Sequence, residues 1–299
     1  MRFDAATANP AAMAPTIALP ALNDAPLAAG LYVVATPIGN LRDITLRALD
    51  VLAQADLVLC EDTRVTGKLL HAYGISAKLE RHDEHAAERA RPKAMAALAE
   101  GKRVALVSDA GTPLISDPGY RLVREVAAEG YAVFPIPGAS ALVAGLSAAG
   151  LPTDRFLFAG FPPPKSAARR TFLAELAGIR ATLVFYEGGS RLAASLADMA
   201  AVLGDREAVV CRELTKMYET IYRGSLSTLA ADLRLNAPKG EIVILVEPGR
   251  ETEATPEDAD TALTDALTRL KPADAAAEVA KALGLSRRDL YRRAMELKR

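Results

Sequence analysis

From Gly30 onward the chain alternates short apolar runs with Gly-, Pro- and Asp-rich loops, each followed by an amphipathic stretch, the pattern of βαβ units. Apolar runs at 31–35, 57–60 and 104–107, with a weaker one at 132–136, predict strands of a largely parallel sheet. Between them the spacing predicts helices at 45–53, 65–73, 86–99 and 120–129, and another beginning near Ala139.

Gly150 and Pro152 then punctuate the chain, and a second alternating region opens. Its predicted strands are 156–159, 182–186, 208–211, 219–222 and 242–246, with helices at 168–176, 191–202 and 226–233. The consecutive strands near Ala208 and Glu219 imply a hairpin, hence a mixed sheet. The stretch 247–258, with Pro248, Pro256 and an excess of acidic residues, reads as a linker into a three-helix tail. There Gly284 is placed to end one helix, and Ser286 with Asp289 forms a capping-box-like start for the last.

The organisation expected is therefore a disordered extension over 1–27, an α/β domain over 28–150, a second α/β domain over 151–249, a linker at 250–260 and a helical tail over 261–299. Pro10, Pro15, Pro20 and Pro26 recur too often in the extension for a helix or a central strand. That segment lacks a basic cluster followed by an uninterrupted apolar stretch, so it does not read as a secretory signal. No apolar run is long enough to span a bilayer.

Composition narrows the picture only slightly. A chain of 299 residues, 51% hydrophobic and 24% charged, exceeds the usual size of one hydrophobic core and suits two. Its 36 basic and 37 acidic residues nearly cancel, so any attraction to nucleic acid must be local. Cys60 and Cys211 each lie in an apolar run without a ligand-type neighbour, which argues against a disulfide framework and a zinc site and fits a reducing cytoplasm.

Candidate chemistry sits in the loops after the predicted parallel strands, because ligands bind along the edge where the strands' carboxyl ends emerge. The first loop, 36–41, carries Pro37, which stiffens it, and Gly39, which permits close approach. The loop 108–119 holds Asp109, Gly111, Pro113, Asp117, Pro118 and Gly119, more punctuation than a strand-to-helix link needs. Small residues Ala110 and Gly111 would admit a ligand to the main chain, and Asp109 offers a carboxylate to an ammonium or sulfonium. In the loop 135–141, Gly138 can make the turn and Ser140 can cap the next helix. Neither GxGxxG nor GxxxxGK[ST] occurs, which disfavours dinucleotide and P-loop nucleotide binding.

These loops and their order resemble the tetrapyrrole-methylase superfamily. Thr36-Pro37-Ile38-Gly39-Asn40-Leu41-Arg42-Asp43, Glu61-Asp62-Thr63-Arg64, the loop from Asp109 to Gly119, Arg212-Glu213-Leu214-Thr215-Lys216 and Lys239-Gly240-Glu241 look like its RsmI branch. The resemblance implies two α/β domains with a cleft between them for S-adenosylmethionine, and 2′-O-methylation of a cytidine in the decoding region of 16S ribosomal RNA. It further implies a homodimer acting on RNA in the small ribosomal subunit, and cofactor contacts from Pro37, Ala110, Gly111, Thr112, Ile115, Ser140, Ala141, Glu187 and Leu214, to which the loop chemistry above adds Gly39 and Asp109. The sequence departs from the branch at Gly188-Gly189-Ser190, where Pro-His is usual after the variable position, and around His82-Asp83-Glu84-His85.

Methylating a ribose hydroxyl needs a base, or a cation that favours the alkoxide, and no metal. The candidates are Glu61, Asp62 and Arg64 after the second strand, and Glu187, Glu213 and Lys216 in the second domain. Asp62, Arg64, Glu213 and Lys216 are the favoured set, with Lys216 open to tuning toward the neutral amine by burial. For RNA, local basic clusters exist at Lys165, Arg169 and Arg170, and in the last helix at Arg287, Arg288, Arg292, Arg293, Lys298 and Arg299, with Tyr291 interleaved. The rival readings are a methyltransferase of the same superfamily acting on a tetrapyrrole or corrinoid, which would want a broad apolar cleft, and a non-catalytic ribosome-binding module.

Overall fold

The computed structural model describes residues 22–23, 25–83, 85–236, 240–249, 256–283 and 285–298. Its first sheet is wholly parallel, in the order β3-β2-β4-β1-β5, from β1 (Gly30–Val34), β2 (Leu57–Cys60), β3 (Leu79–Arg81), β4 (Arg103–Val107) and β5 (Val133–Ile136). Helices α1 (Leu46–Gln54), α2 (Thr63–Ala72), α3 (Ala87–Ala99) and α4 (Tyr120–Ala128) connect the strands. Two apolar cores result. One holds Val34, Leu52, Val58 and Val107, and the other Leu31, Leu59, Leu106 and Leu122. The alternating side chains of each strand feed both, so the central strands are apolar throughout.

Sequence periodicity missed β3. It is a three-residue edge strand, and Glu80 and Arg81 interrupt its apolar character. The expected extension lies mostly outside the described residues, but its end is tied down. The Asn23 amide donates to the Asp50 carboxylate at 2.8 Å, and Leu27 packs against the first core.

The second sheet runs β6-β7-β10-β8-β9. Its strands are β6 (Phe156–Phe158), β7 (Thr182–Gly188), β8 (Glu207–Arg212), β9 (Thr220–Ser225) and β10 (Glu241–Val246). Only β6 and β7 pair in parallel. The other neighbours are antiparallel, and β8–β9 is the expected hairpin, which makes the sheet mixed. Helices α6 (Ser166–Leu176), α7 (Leu192–Leu203) and α8 (Leu226–Asn236) cover one face over a core around Phe185, Leu196 and Met199.

The opposite face is covered by α5 (Ala141–Ala149), the last helix of the first lobe. Its sequence, ALVAGLSAA, has no charged residue, as suits a helix held between two layers. A Cβ on Gly145 would stand 3.1 Å from Val243 Cγ1, so the absence of a side chain there sets how closely α5 lies on β10. Leu146 and Ala149 join Ile38 of the first lobe to Val184, Val243 and Leu245 of the second, and this apolar seam couples the lobes.

The tail packs α9 (Pro256–Leu267), α10 (Pro272–Leu283) and α11 (Arg287–Leu297) around Leu263, Ala276, Val279 and Leu290. The linker expected over 250–260 ends sooner than its composition suggested. Residues 250–255 lie outside the described residues, whereas α9 starts at Pro256, a position where proline's missing N–H has no intrahelical partner to lose. Gly284 lies outside the described residues. Ser286 does cap α11, accepting from the Asp289 amide.

Candidate active site

The carboxyl ends of β1, β2, β4 and β5 bring their loops to one edge of the first sheet, facing the second lobe. The β1 and β4 loops are laced together. The Thr36 amide donates to the Gly111 carbonyl at 2.9 Å, the Gly111 amide returns a bond to the Thr36 carbonyl at 3.1 Å, and the Thr36 hydroxyl donates to the Ser108 carbonyl at 3.0 Å. Gly111 has φ 93°, and a Cβ there would come within 3.2 Å of Ile38. Further along the same loop, Leu114 (φ 76°) and Ser116 (φ 67°) hold the left-handed conformation without being glycine. Across the gap, Glu213 (φ 53°) and Thr215 (φ 65°) do the same in the loop after β8. Such conformations cost on the order of 1–3 kcal/mol each and concentrate at functional sites.

Between these loops lies a cavity of about 260 Å³. Of the residues expected to meet the cofactor, Asp109, Ala110, Gly111, Thr112 and Ile115 line it from the β4 loop, Ser140 and Ala141 from the start of α5, and Glu187 and Leu214 from the second lobe. Pro37 and Gly39 do not. They line an adjoining pocket of about 400 Å³, which shares Ile38, Ser108, Asp109, Ala110 and Glu241 with the first. Ser140 occupies the position before α5 but makes no capping bond.

Sequence reasoning passed over part of the lining. Tyr186 and Phe161 pack edge to face with ring centroids 5.6 Å apart, and the Tyr186 hydroxyl accepts from the Leu142 amide at 3.0 Å. Asp117, at the far end of the β4 loop, turns back into the same space as Asp109 and Glu61. All three carboxyls lie above their ordinary range, chiefly through burial, and Glu61 is pushed further by Asp117 and Asp109. Among the described residues none of the three has a cationic partner; Glu61 accepts only the Asp109 amide, at 3.3 Å, and Ser108 contacts. The sequence signal was the placement of these acids after adjacent strands β2 and β4.

The expected catalytic set divides. Asp62 caps α2, accepting from the Arg64 amide at 2.8 Å, and its carboxylate pairs with the Arg64 guanidinium at 2.6 Å. Arg64 is 85% exposed, the pair lines neither cavity, and Asp62 is held at about 2 by its bonds to Arg64. Lys216 does line the second pocket, with its Nζ 2.9 Å from Glu213 and 2.8 Å from Glu241. Burial alone would depress its ammonium, but the hydrogen bonds to Glu241 and Glu213 outweigh that and hold it above its usual range. The amine is therefore not tuned toward neutral. Glu213, held low by the Glu241 amide and by Lys216, is no base near neutral pH either. Gly39 is packed so close to the Lys216 side chain that a Cβ would overlap it.

Glu187 borders the cavity, yet its carboxylate is 0% exposed and fully engaged. It accepts from the Ser195 hydroxyl at 2.6 Å and the Gly188 amide at 2.8 Å, and it pairs with Arg191 at 2.6 Å. The Gly188-Gly189-Ser190 turn is pinned by that pair and by the Gly189 amide donating to the Gly240 carbonyl at 3.0 Å.

One of the local basic clusters is largely engaged within its own lobe. Arg169 is buried, with its guanidinium 2.7 Å from Asp198, and Arg170 binds the same carboxylate, so they brace α6 on α7. His82 is 3% exposed and donates its amide to the Cys60 carbonyl, which leaves its ring out of reach of a macromolecule. Both cysteine thiols are buried and pushed up to about 11 by burial, and are correspondingly inert. Among the described residues no helix is long and apolar enough to cross a membrane.

Two protein families match the chain. Tetrapyrrole (Corrin/Porphyrin) Methylases covers residues 30–230, and the RsmI C-terminal HTH domain covers 253–298. Among curated proteins, the Ribosomal RNA small subunit methyltransferase I of Erythrobacter litoralis is 56% identical over 91% of this chain and 97% of that one. Its namesakes from Mesorhizobium japonicum and Escherichia coli O157:H7 are 51% and 47% identical over 91% and 89% of this chain, and over 94% of each relative. Among solved structures the fold is similar to a cobalt precorrin-4 methyltransferase, with TM-score 0.56 and 22% identity over 73% of this chain and 94% of that one. It also resembles a Thermus thermophilus uroporphyrin-III C-methyltransferase complexed with S-adenosyl homocysteine, with TM-score 0.51 and 22% identity over 72% and 96%.

Proposed function

The chain belongs to the tetrapyrrole (corrin/porphyrin) methylases, on the branch of the ribosomal RNA small subunit methyltransferases I, and from that membership we propose that it methylates a ribose of small-subunit ribosomal RNA using S-adenosylmethionine. The acceptor in this reading is the 2′-hydroxyl of a cytidine in the decoding region, and the enzyme works as a cytoplasmic homodimer on RNA within the small subunit.

One observation carries the reading: a gap between two lobes is lined by three raised carboxyls that have no cationic partner among the described residues, and it adjoins a second pocket lined by Lys68 and Lys216. S-adenosylmethionine would bring to the first gap a sulfonium-borne methyl group together with an ammonium. The residues present suit it. Asp109, Glu61 and Asp117 supply negative charge, the main chain at Ala110 and Gly111 is open to polar contacts, and Tyr186, Phe161 and Ile38 give apolar walls that a bound ligand would seal against water. Exclusion of water strengthens each of these interactions.

Transfer to a ribose forms a carbon–oxygen bond as the carbon–sulfur bond breaks, and one proton must leave the hydroxyl. Asp109 is the group we assign to take it, because it lines both spaces and so stands where the hydroxyl would meet the methyl group. Lys68 in the adjoining pocket would hold positive charge toward the acceptor's phosphates, while Lys216 beside it bridges Glu213 to Glu241. Holding the reacting groups in line contributes on the order of 7–11 kcal/mol to such a displacement.

The test is labelled methyl transfer to small subunits from a strain lacking the protein, followed by mass-spectrometric mapping of the modified nucleotide. A ribose methyl on a decoding-region cytidine, lost with Asp109→Asn, is the expected outcome. Transfer to a tetrapyrrole instead, or cofactor binding without any turnover, would overturn it.

A further inference from the structure

Helix α11 sorts its side chains by charge. Arg287, Tyr291, Met295 and Lys298 recur at helical spacing, and Arg288 lies beside them, so that all five fall within an arc of about 100°. The acids of this helix lie elsewhere. Asp289 holds Arg292 at 3.0 Å, and Glu296 holds Arg293 at 2.8 Å, while Arg293 also grips Asp260 of α9 at 2.6 Å. The third face buries Leu290 and Ala294 in the core of the tail.

The remaining arc is uncompensated. Among the described residues, Arg287, Arg288 and Lys298 have no ion pair, and Tyr291 and Met295 stand 45% and 46% exposed between them. The start of α10 adds Lys271 and Pro272, closing a groove of about 530 Å³ against Tyr291, Met295 and Lys298.

We propose that this groove is a docking site for single-stranded RNA, with one unstacked base on the Tyr291 ring beside Met295 and the flanking phosphates on Arg287, Arg288, Lys298 and Lys271. The proposal rests on the reading that the enzyme modifies RNA and names where outside the cleft that RNA is held. Interleaved cations and an exposed aromatic ring are what a sequence-tolerant single-strand site requires, since every base offers a face to stack and every linkage a charge to pair. An acidic protein surface would use the cations but leave the ring and thioether unexplained.

The test measures binding of a labelled single-stranded oligoribonucleotide to the full chain by fluorescence anisotropy across a salt series, with melting curves to verify folding. Tyr291→Ala is expected to weaken binding by about five- to a hundredfold, as loss of one stacked base does. Arg288→Gln with Lys298→Gln should reduce the slope of log affinity against log salt by about 0.7 for each charge removed. Arg269→Gln, whose guanidinium is already engaged by Asp265 and Glu278, should leave affinity within about twofold. Cofactor affinity should be unchanged in all three. If the wild-type chain binds the oligonucleotide and Tyr291→Ala binds it equally well, the groove is not the RNA site. If the wild-type chain binds no RNA while taking up cofactor normally, the RNA reading of the whole protein fails first. Loss of binding to assembled subunits with RNA affinity intact would assign the groove to a protein partner and overturn the proposal.

Discussion

Glu187 tests whether a residue that borders the proposed cofactor cavity serves the ligand or the scaffold. Its carboxylate is spent on the Ser195 hydroxyl, the Gly188 amide and the Arg191 guanidinium, all within 2.8 Å. A hydrogen bond to a charged acceptor contributes about 1.5–3 kcal/mol, and Ser195, at 0% exposure, has no water to replace it. The Arg191 pair is discounted to at most about 1 kcal/mol, because that guanidinium is 36% exposed. Glu187→Ala should therefore destabilise the second lobe by about 2–4 kcal/mol, read from denaturant unfolding. Glu187→Gln keeps an acceptor for Ser195 and should cost less. In a cycle with Ser195→Ala, the coupling should recover most of the hydrogen-bond contribution. Calorimetry with S-adenosylmethionine, below the denaturation range, should show affinity changed less than about threefold. A loss of affinity greater than tenfold with unfolding unaltered would mean that the carboxylate reaches the ligand, and the scaffold assignment would be wrong.

Three other outcomes follow from the cleft. Gly39→Val places a side chain where Lys216 lies, so methyl transfer should fall at least tenfold while cofactor affinity, set in the other cavity, stays within about threefold by calorimetry. The raised carboxyls Glu61, Asp109 and Asp117 give the free fold a stability contribution that is lost as pH rises through their folded-state values, and a bound cation restores it. The cofactor's thermal shift should thus be larger near neutral pH than in mildly acidic buffer, with protons released on binding, and a flat profile would remove these acids from the site. Asp109→Asn should lower kcat by about 10²–10⁴ and abolish the acidic limb of its pH profile; an unchanged limb would place the base elsewhere.

What was legible in the sequence follows the physics of each element. The parallel strands announce themselves because helices cover both sides, so Val104 to Val107 carries no polar residue, whereas β3 shows little of that signal at an edge. The β4 loop was readable through its glycines and prolines, since backbone that must hold φ values such as that of Gly111 has few residue types to choose from. Side-chain partnership was not readable. Lys216 and Arg169 look alike as free cations in a string of letters, but one bridges Glu213 to Glu241 and the other is sealed against Asp198. Asp62 and Arg64 show the complementary case: a cap and its neighbour satisfy one another locally, a partnership that the motif's letters do not reveal.

The two adjoining spaces explain how one cleft can receive partners of opposite charge. The first is lined by Glu61, Asp109 and Asp117, which in the proposed reading would repel a phosphate backbone and attract a sulfonium. The second has Lys68 and Lys216 at its wall beside Asp109 and Glu241, and Lys68, which has no carboxylate partner among the described residues, would meet phosphate there. Ser108, Asp109, Ala110 and Glu241 form the boundary between them, and a methyl group must cross there. Lys216 is kept at that boundary by carboxylates from the β8–β9 turn and from β10, and by the bare backbone of Gly39 opposite. Reversing the charge at Lys68 with Lys68→Glu should therefore raise KM for RNA and flatten its salt dependence, while the affinity for S-adenosylmethionine holds or increases. If both affinities fell together, the spaces would not sort their ligands by charge, and the boundary would be only a wall.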